Sequence, residues 1–228
     1  MISTAQQHNA IQQNNAAASL IAAGEYNTAI QELSFALKVY KQVMTEVKNE
    51  ITQPVKTSLD QCMVQSLAVA GCRKSCLVND NDQYMYQHAV RIPVDIESTS
   101  QSSAMVSSLI IFNSALAHHL SAMASGNRQS PKLLRAAKLY ELAFILQRDA
   151  QLDNNVLFTL AAFTNLGVVH HQLENKETAT KCFQQVLSTI MLLVDCREAE
   201  ARSGGELDGF LRNATNLVSA SSCAAPAA

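Results

Sequence analysis

The sequence predicts an all-α protein, an array of about three helical hairpins with an irregular insertion after the first and a covering helix at the C-terminus. Three observations carry this expectation. First, a pair of marks recurs. A small residue stands two positions after an Asn at Asn15 and Ala17, at Asn113 and Ala115, and at Asn165 and Gly167. Downstream come Ala29, Leu33, Ala36 and Leu37, then Ala136, Tyr140, Ala143 and Phe144, then Ala179, Phe183, Val186 and Leu187. Offsets of four, seven and eight fall on one side of a helix, so each set marks a buried face. Second, only 7 Gly and 4 Pro occur in 228 residues, as expected where helices dominate and breakers sit at junctions. Third, the hairpin marks recur along 228 residues, which favours one continuous array with a shared core, so a single domain is expected; the chain is 48% hydrophobic and 16% charged. No uninterrupted run approaches the roughly 18 apolar residues of a membrane span.

The elements follow in order. Residues from about 4 to 23 read as a helix ended by Gly24, and Tyr26 to about Glu50 as a second that stops before Pro54, making hairpin one over 1–53. The insertion, 54–101, opens with Val55, Leu59, Cys62, Met63, Leu67 and Ala70 at helical spacing. Gly71 to Thr99 then mixes Asn79, Asp80, Asn81 and Asp82 with a β-leaning run, Tyr84 to Val94, and reads as a loop with one or two short strands. Residues 72–101 are expected to be the least ordered internal segment, and dispensable to the repeats. Hairpins two and three occupy 102–201. Helical periodicity resumes near Ser102 and halts at Ser125, Gly126 and Asn127. Pro131 opens the next helix behind Ser130, which reads as its N-cap. Asn154 to Leu173 and Lys176 to Ala201 form the third hairpin across the turn Glu174, Asn175. A helix over 202–220, with Leu207, Phe210, Leu211, Ala214, Leu217 and Val218, is expected to cover the end of the array, and 221–228 reads as a flexible tail.

A net charge of -2, without a dense Lys/Arg run, removes the electrostatic basis for binding nucleic acid or an anionic membrane. The N-terminal MISTAQQHNAIQQNN has no charged region followed by an apolar core, so no secretory signal is read and an intracellular site, cytoplasmic or nuclear, is expected. Cys62, Cys72, Cys76, Cys182, Cys196 and Cys223 then read as reduced thiols, and the sequon at Asn213, Ala214, Thr215 as helix sequence.

Chemistry-bearing patterns are sparse. There is no Gly-rich phosphate loop, no GxSxG and no HExxH. Cys62, Cys72 and Cys76 with His88 match no standard zinc knuckle. The pairs His118/His119 and His170/His171 share one register, five and six residues after Asn113 and Asn165. Adjacent helical side chains diverge by about 100°, so a metal would need His119 and His171 to meet across hairpins. No catalytic residue, cofactor or metal is expected.

The third hairpin, NLGVVHHQLENKETATKCFQQVL, resembles a tetratricopeptide repeat. Gly167 to Ala179 and Ala17 to Ala29 both span 12 residues, the spacing of that family between the small residue of helix A and the alanine of helix B. The turn of hairpin two is longer, and no Trp occurs anywhere. The FNSALAHHL and NLGVVHHQL phrasing is also similar to a tetratricopeptide-like group from microalgae. The resemblance implies a tetratricopeptide-like α-solenoid whose A helices line a concave groove. Matching positions are Asn14, Asn15, Ala18, Phe112, Asn113, Leu116, His119, Thr164, Asn165, Val168, His171 and Gln172, without Lys or Arg. A carboxylate clamp is therefore not implied; an extended peptide or partner helix is.

The expected function is a non-enzymatic protein-interaction module or scaffold. The alternatives are a metal-dependent or enzymatic protein using His119 and His171, and a structural subunit of an oligomer. Asn has poor helix propensity, so its recurrence in register means that something uses the amide. Either it bonds a neighbouring hairpin or it bonds a peptide ligand.

Overall fold

The computed structural model describes residues 4–46, 58–69, 84–96, 100–126, 130–150, 152, 155–195, 209–213 and 215. Seven long helices follow in order: α1 (Thr4–Ala22), α2 (Tyr26–Glu46), α3 (Leu59–Val69), α4 (Ser100–Ala124), α5 (Pro131–Asp149), α6 (Val156–Gln172) and α7 (Lys176–Asp195). A short helical segment follows at 209–213. The expected helices at 47–50, 55–57, 196–201 and 216–220, the Asn79 to Asp82 stretch, Asn127 and the tail 221–228 lie outside the described residues.

The helices pair as hairpins, α1 with α2, α4 with α5 and α6 with α7, and each hairpin packs on the next through α2 on α4 and α5 on α6. Each turn contains a left-handed residue: Gly24 at φ 81°, Gly126 at φ 65° and Glu174 at φ 61°. Glycine takes that conformation without the Cβ clash that a Glu meets, which is why two of the three turns were marked by Gly in the sequence. At the start of α5 the Ser130 side chain accepts from the Lys132 N–H, and Pro131 occupies the first turn, as the cap reading expected.

Ala29, Ala136 and Ala179 are all buried. Ala179 packs with Val168 and Phe183 between α6 and α7. Gly167 lies directly under the Phe183 ring, where a Cβ would stand 2.7 Å from Cζ. At this crossing the glycine of the repeated mark is thus a steric requirement. Ala179→Leu is expected to overpack this crossing and cost about 1 to 3 kcal/mol in urea denaturation.

Helix α4 is the centre of the core. Ser102–Ala124 is as long and apolar as a membrane-spanning helix, and its most apolar window is buried throughout, as in the central helix of a folded core. Neighbouring helices on one side and the insertion on another cover it, which explains why its hydrophobicity runs all the way round.

The insertion departs from expectation. Helix α3 forms and packs against α6. Residues 84–93 form no helix and no sheet among the described residues, Val94 and Asp95 make a turn, and the run packs against the helices where a surface loop is expected. Tyr84, Met85, Tyr86, Val90 and Ile92 are buried in the same cluster as the helices. The β-leaning composition of Tyr84 to Val94 reads as one or two short strands; here the chain finds its main-chain partners among side chains instead.

Candidate functional site

In an extended chain the N–H and C=O of one residue point to the same edge, and every second residue repeats that edge. A carboxamide carries a donor and an acceptor side by side, so one Asn can satisfy both groups of one residue. Four asparagines do this along the 84–92 segment. Asn213 accepts from the Tyr84 N–H at 2.7 Å and donates to the Tyr84 carbonyl at 2.6 Å. Asn165 accepts from the Tyr86 N–H and donates to the Tyr86 carbonyl, both at 2.9 Å. Asn113 holds Val90 in the same way at 2.8 and 2.7 Å. Asn15 holds Ile92 with two bonds of 2.8 Å.

The ladder therefore reads residues 84, 86, 90 and 92, and the segment runs opposite to the order of the helices: C-terminal segment first, α1 last. Steps of two residues match the period of an extended chain. The longer step from 86 to 90 spans Gln87, His88 and Ala89, which are only partly buried.

Second partners fix the amides. The Asn113 Nδ2 also donates to Asn14 Oδ1 at 2.8 Å, and Asn14 donates to the Val90 carbonyl at 3.0 Å. Asn165 Nδ2 donates to the Tyr140 hydroxyl at 3.0 Å. Asn14, Asn113, Asn165 and Asn213 are all buried, and Asn15 lies at the rim. Within a low-dielectric core such fully satisfied amides specify one register of the chain they hold.

Apolar contacts complete the grip. Tyr86 packs edge-on against Phe112 and stacks with Phe210, at centroid distances of 6.1 and 6.4 Å, while Tyr84 meets Phe210 at 5.0 Å. The Tyr84 ring lies over Gly209, where a Cβ would stand 2.2 Å from a ring carbon. At the other end the Arg91 N–H donates to Ser66 Oγ and its guanidinium to Ser19 Oγ. Asp60 of α3 accepts from the Leu157 and Phe158 N–H groups, both at 3.0 Å, and so caps the N-terminus of α6 that carries Asn165.

The residues singled out in the sequence separate into groups. Asn14, Asn15, Asn113, Asn165 and Phe112 meet the segment. Leu116 and Thr164 are buried, and Val168 packs into the α6–α7 crossing with Ala179 and Phe183. His119 is wholly buried with its ring 6.2 Å from Tyr140; His171 and Gln172 are half-buried. His170 Nε2 lies 3.9 Å from the Glu141 carboxylate. Among the described residues no three His, Cys, Asp or Glu side chains are grouped to hold a metal. Burial pushes the Cys62 and Cys182 thiols up to about 12, the latter helped by Glu141, so neither is a ready thiolate. Cys72 and Cys76 lie outside the described residues.

Burial also holds the buried imidazoles neutral. His119 is pushed down to about 3, with Gln172 opposing weakly, and His118 to about 4 by burial and the Arg135 and Lys132 charges. The unfolded chain takes up these protons near pH 6.5 and the folded chain does not, so stability is full above that pH and falls as pH drops toward 4. His119, wholly buried, contributes a slope of about 1.4 kcal/mol per pH unit in that window. His119→Leu is expected to flatten the acid limb of a stability–pH curve measured by urea denaturation.

Comparison with protein-family models, with curated proteins and with solved structures finds no match. The site is accordingly defined by its own geometry. Sequence reasoning missed Asn213, Asp60 and the segment itself. The usable signal was Asn213 with Thr215, which repeats the spacing of the Asn-x-small mark on a fourth helix.

Proposed function

We propose that this chain is a non-enzymatic protein-interaction module of the tetratricopeptide-like α-solenoid kind, acting inside the cell, whose A-helix groove binds a protein or peptide. The observation that carries the reading is the ladder: Asn15, Asn113, Asn165 and Asn213 each grip the main chain of one residue of an extended polypeptide. A partner helix already spends its main-chain groups on itself, so carboxamides at these stations suit an extended peptide better. The A-helix positions matched above include no Lys or Arg to meet a nucleic-acid phosphate, and the apolar stretch of α4 is spent on the core.

The experiment is proximity labelling with the full chain, its Asn113→Ala/Asn165→Ala variant and a surface control, Lys138→Ala, at a temperature where all are folded. Partners shared by the parent and the control, and lost with the double variant, are expected. An unchanged partner set for the double variant would remove the groove from the function.

A second reading, a structural subunit, is favoured by exposed Leu134, Leu142 and Ile145 on α5 and Met191 and Leu192 on α7. Light scattering over a wide concentration range decides it: a constant monomer mass excludes it.

A further inference from the structure

We propose that the groove exchanges its internal occupant for an extended segment of a partner protein, and that Tyr84–Ile92 holds the groove closed in cis until such a segment displaces it. The partner segment would carry aromatic side chains at two alternate positions and aliphatic ones at two further alternate positions, beginning four residues after the second aromatic. The inference rests on the peptide-binding reading above.

Two observations define the occupant. The ladder bonds only main-chain groups, so its polar contacts accept any extended chain that offers N–H and C=O pairs at the stations of residues 84, 86, 90 and 92. Selectivity then falls to the side chains that are buried, Tyr84, Tyr86, Val90 and Ile92. Tyr86 needs a ring to fit between Phe112 and Phe210. The Tyr84 ring fills the space left open by Gly209. Arg91 adds a cation that reaches Ser19 Oγ at 2.7 Å, at an exposed rim.

Competition is set by tethering. An internal segment acts as a ligand at an effective concentration on the order of millimolar, so a free peptide of the same sequence needs a similar concentration to displace half of it. A physiological partner must exceed the internal segment in intrinsic affinity by the corresponding factor. The cis segment thereby raises the affinity threshold for partners, and anything that weakens its docking opens the groove.

The test uses the peptide Tyr84–Ile96 and the full chain. Unlabelled peptide titrated to about 10 mM into 15N-labelled chain is expected to move the Tyr86 and Val90 amide signals toward unstructured positions, with half the effect near millimolar, while signals of α2 and α5 persist. Tyr86 and Val90 signals that stay unchanged throughout overturn the exchange. A chain carrying Tyr86→Ser and Val90→Ser is expected to keep a cooperative melt. It should bind fluorescent peptide at least about tenfold tighter than the parent, and lose that binding when Asn113→Ala and Asn165→Ala are added. Peptide binding to this chain with no displacement in the parent overturns the exchange but leaves the peptide groove standing. A folded chain that binds no peptide overturns both. Loss of the cooperative melt also overturns the exchange, because it shows the segment to be inseparable from the core.

Discussion

Replacing Asn165 or Asn113 with Ala is expected to lower stability by roughly 2 to 4 kcal/mol at each site, read from urea or thermal unfolding. Each substitution removes three hydrogen bonds of a buried carboxamide and leaves buried polar groups stranded, and an unsatisfied buried group costs about 1 to 3 kcal/mol. At Asn165 the stranded groups belong to Tyr86, and the Tyr140 hydroxyl loses a donor as well. At Asn113 the stranded groups are the Val90 N–H and Asn14 Oδ1, while the Val90 carbonyl keeps its bond from Asn14 Nδ2. Asn15 provides an internal comparison. It makes the same two bonds at the rim, where water can replace it, so Asn15→Ala is expected to cost no more than about 1 kcal/mol. Asn113→Asp separates lost volume from lost donation. The carboxylate keeps the acceptor for the Val90 N–H but turns an oxygen toward the Val90 carbonyl and Asn14 Oδ1, so it is expected to be at least as damaging as Ala. Equal small costs at the three sites would mean that the ladder is incidental.

Phe112→Ala is expected to be the most destabilising single change, about 3 to 5 kcal/mol. Phe112 is fully buried and its ring joins the segment to the helices: Tyr86 lies 6.1 Å away, Tyr140 5.6 Å and Phe158 5.4 Å between centroids. Removing it opens a cavity on three sides that rigid helices cannot close. The change should also be non-additive with Tyr86→Ala, since the two rings share one contact, and a double-mutant cycle should return a coupling of about 0.5 to 3 kcal/mol. A cost below about 1 kcal/mol would place the ring outside the core.

The sequence disclosed the helices because a 3.6-residue apolar period is a local property. Ala29, Ala136 and Ala179, with the positions four, seven and eight beyond them, could be aligned without knowing what they touch. Gly24 and Gly126 marked turns because their conformation favours glycine; Glu174 adopts it despite its Cβ, and its turn was visible only from flanking periodicity. The recurrence of Asn15, Asn113 and Asn165 was legible and rightly drew attention to the amides. Their target was not. Tyr84 to Ile92 is held by side chains 23 to 129 residues distant in sequence, so nothing local distinguished it from a loop. Asn213 escaped notice because its short helix was read for apolar spacing and its Asn-Ala-Thr as a sequon.

Residue-resolved hydrogen exchange, comparing the parent with Asn165→Ala, tests most directly whether these carboxamides grip the main chain of the extended segment. The Tyr86 amide is expected to be strongly protected in the parent and to exchange at least about tenfold faster in the variant, with Val90 changed less. A Tyr86 amide that exchanges freely in the parent, or that keeps its rate when Asn165 is gone, would contradict the account.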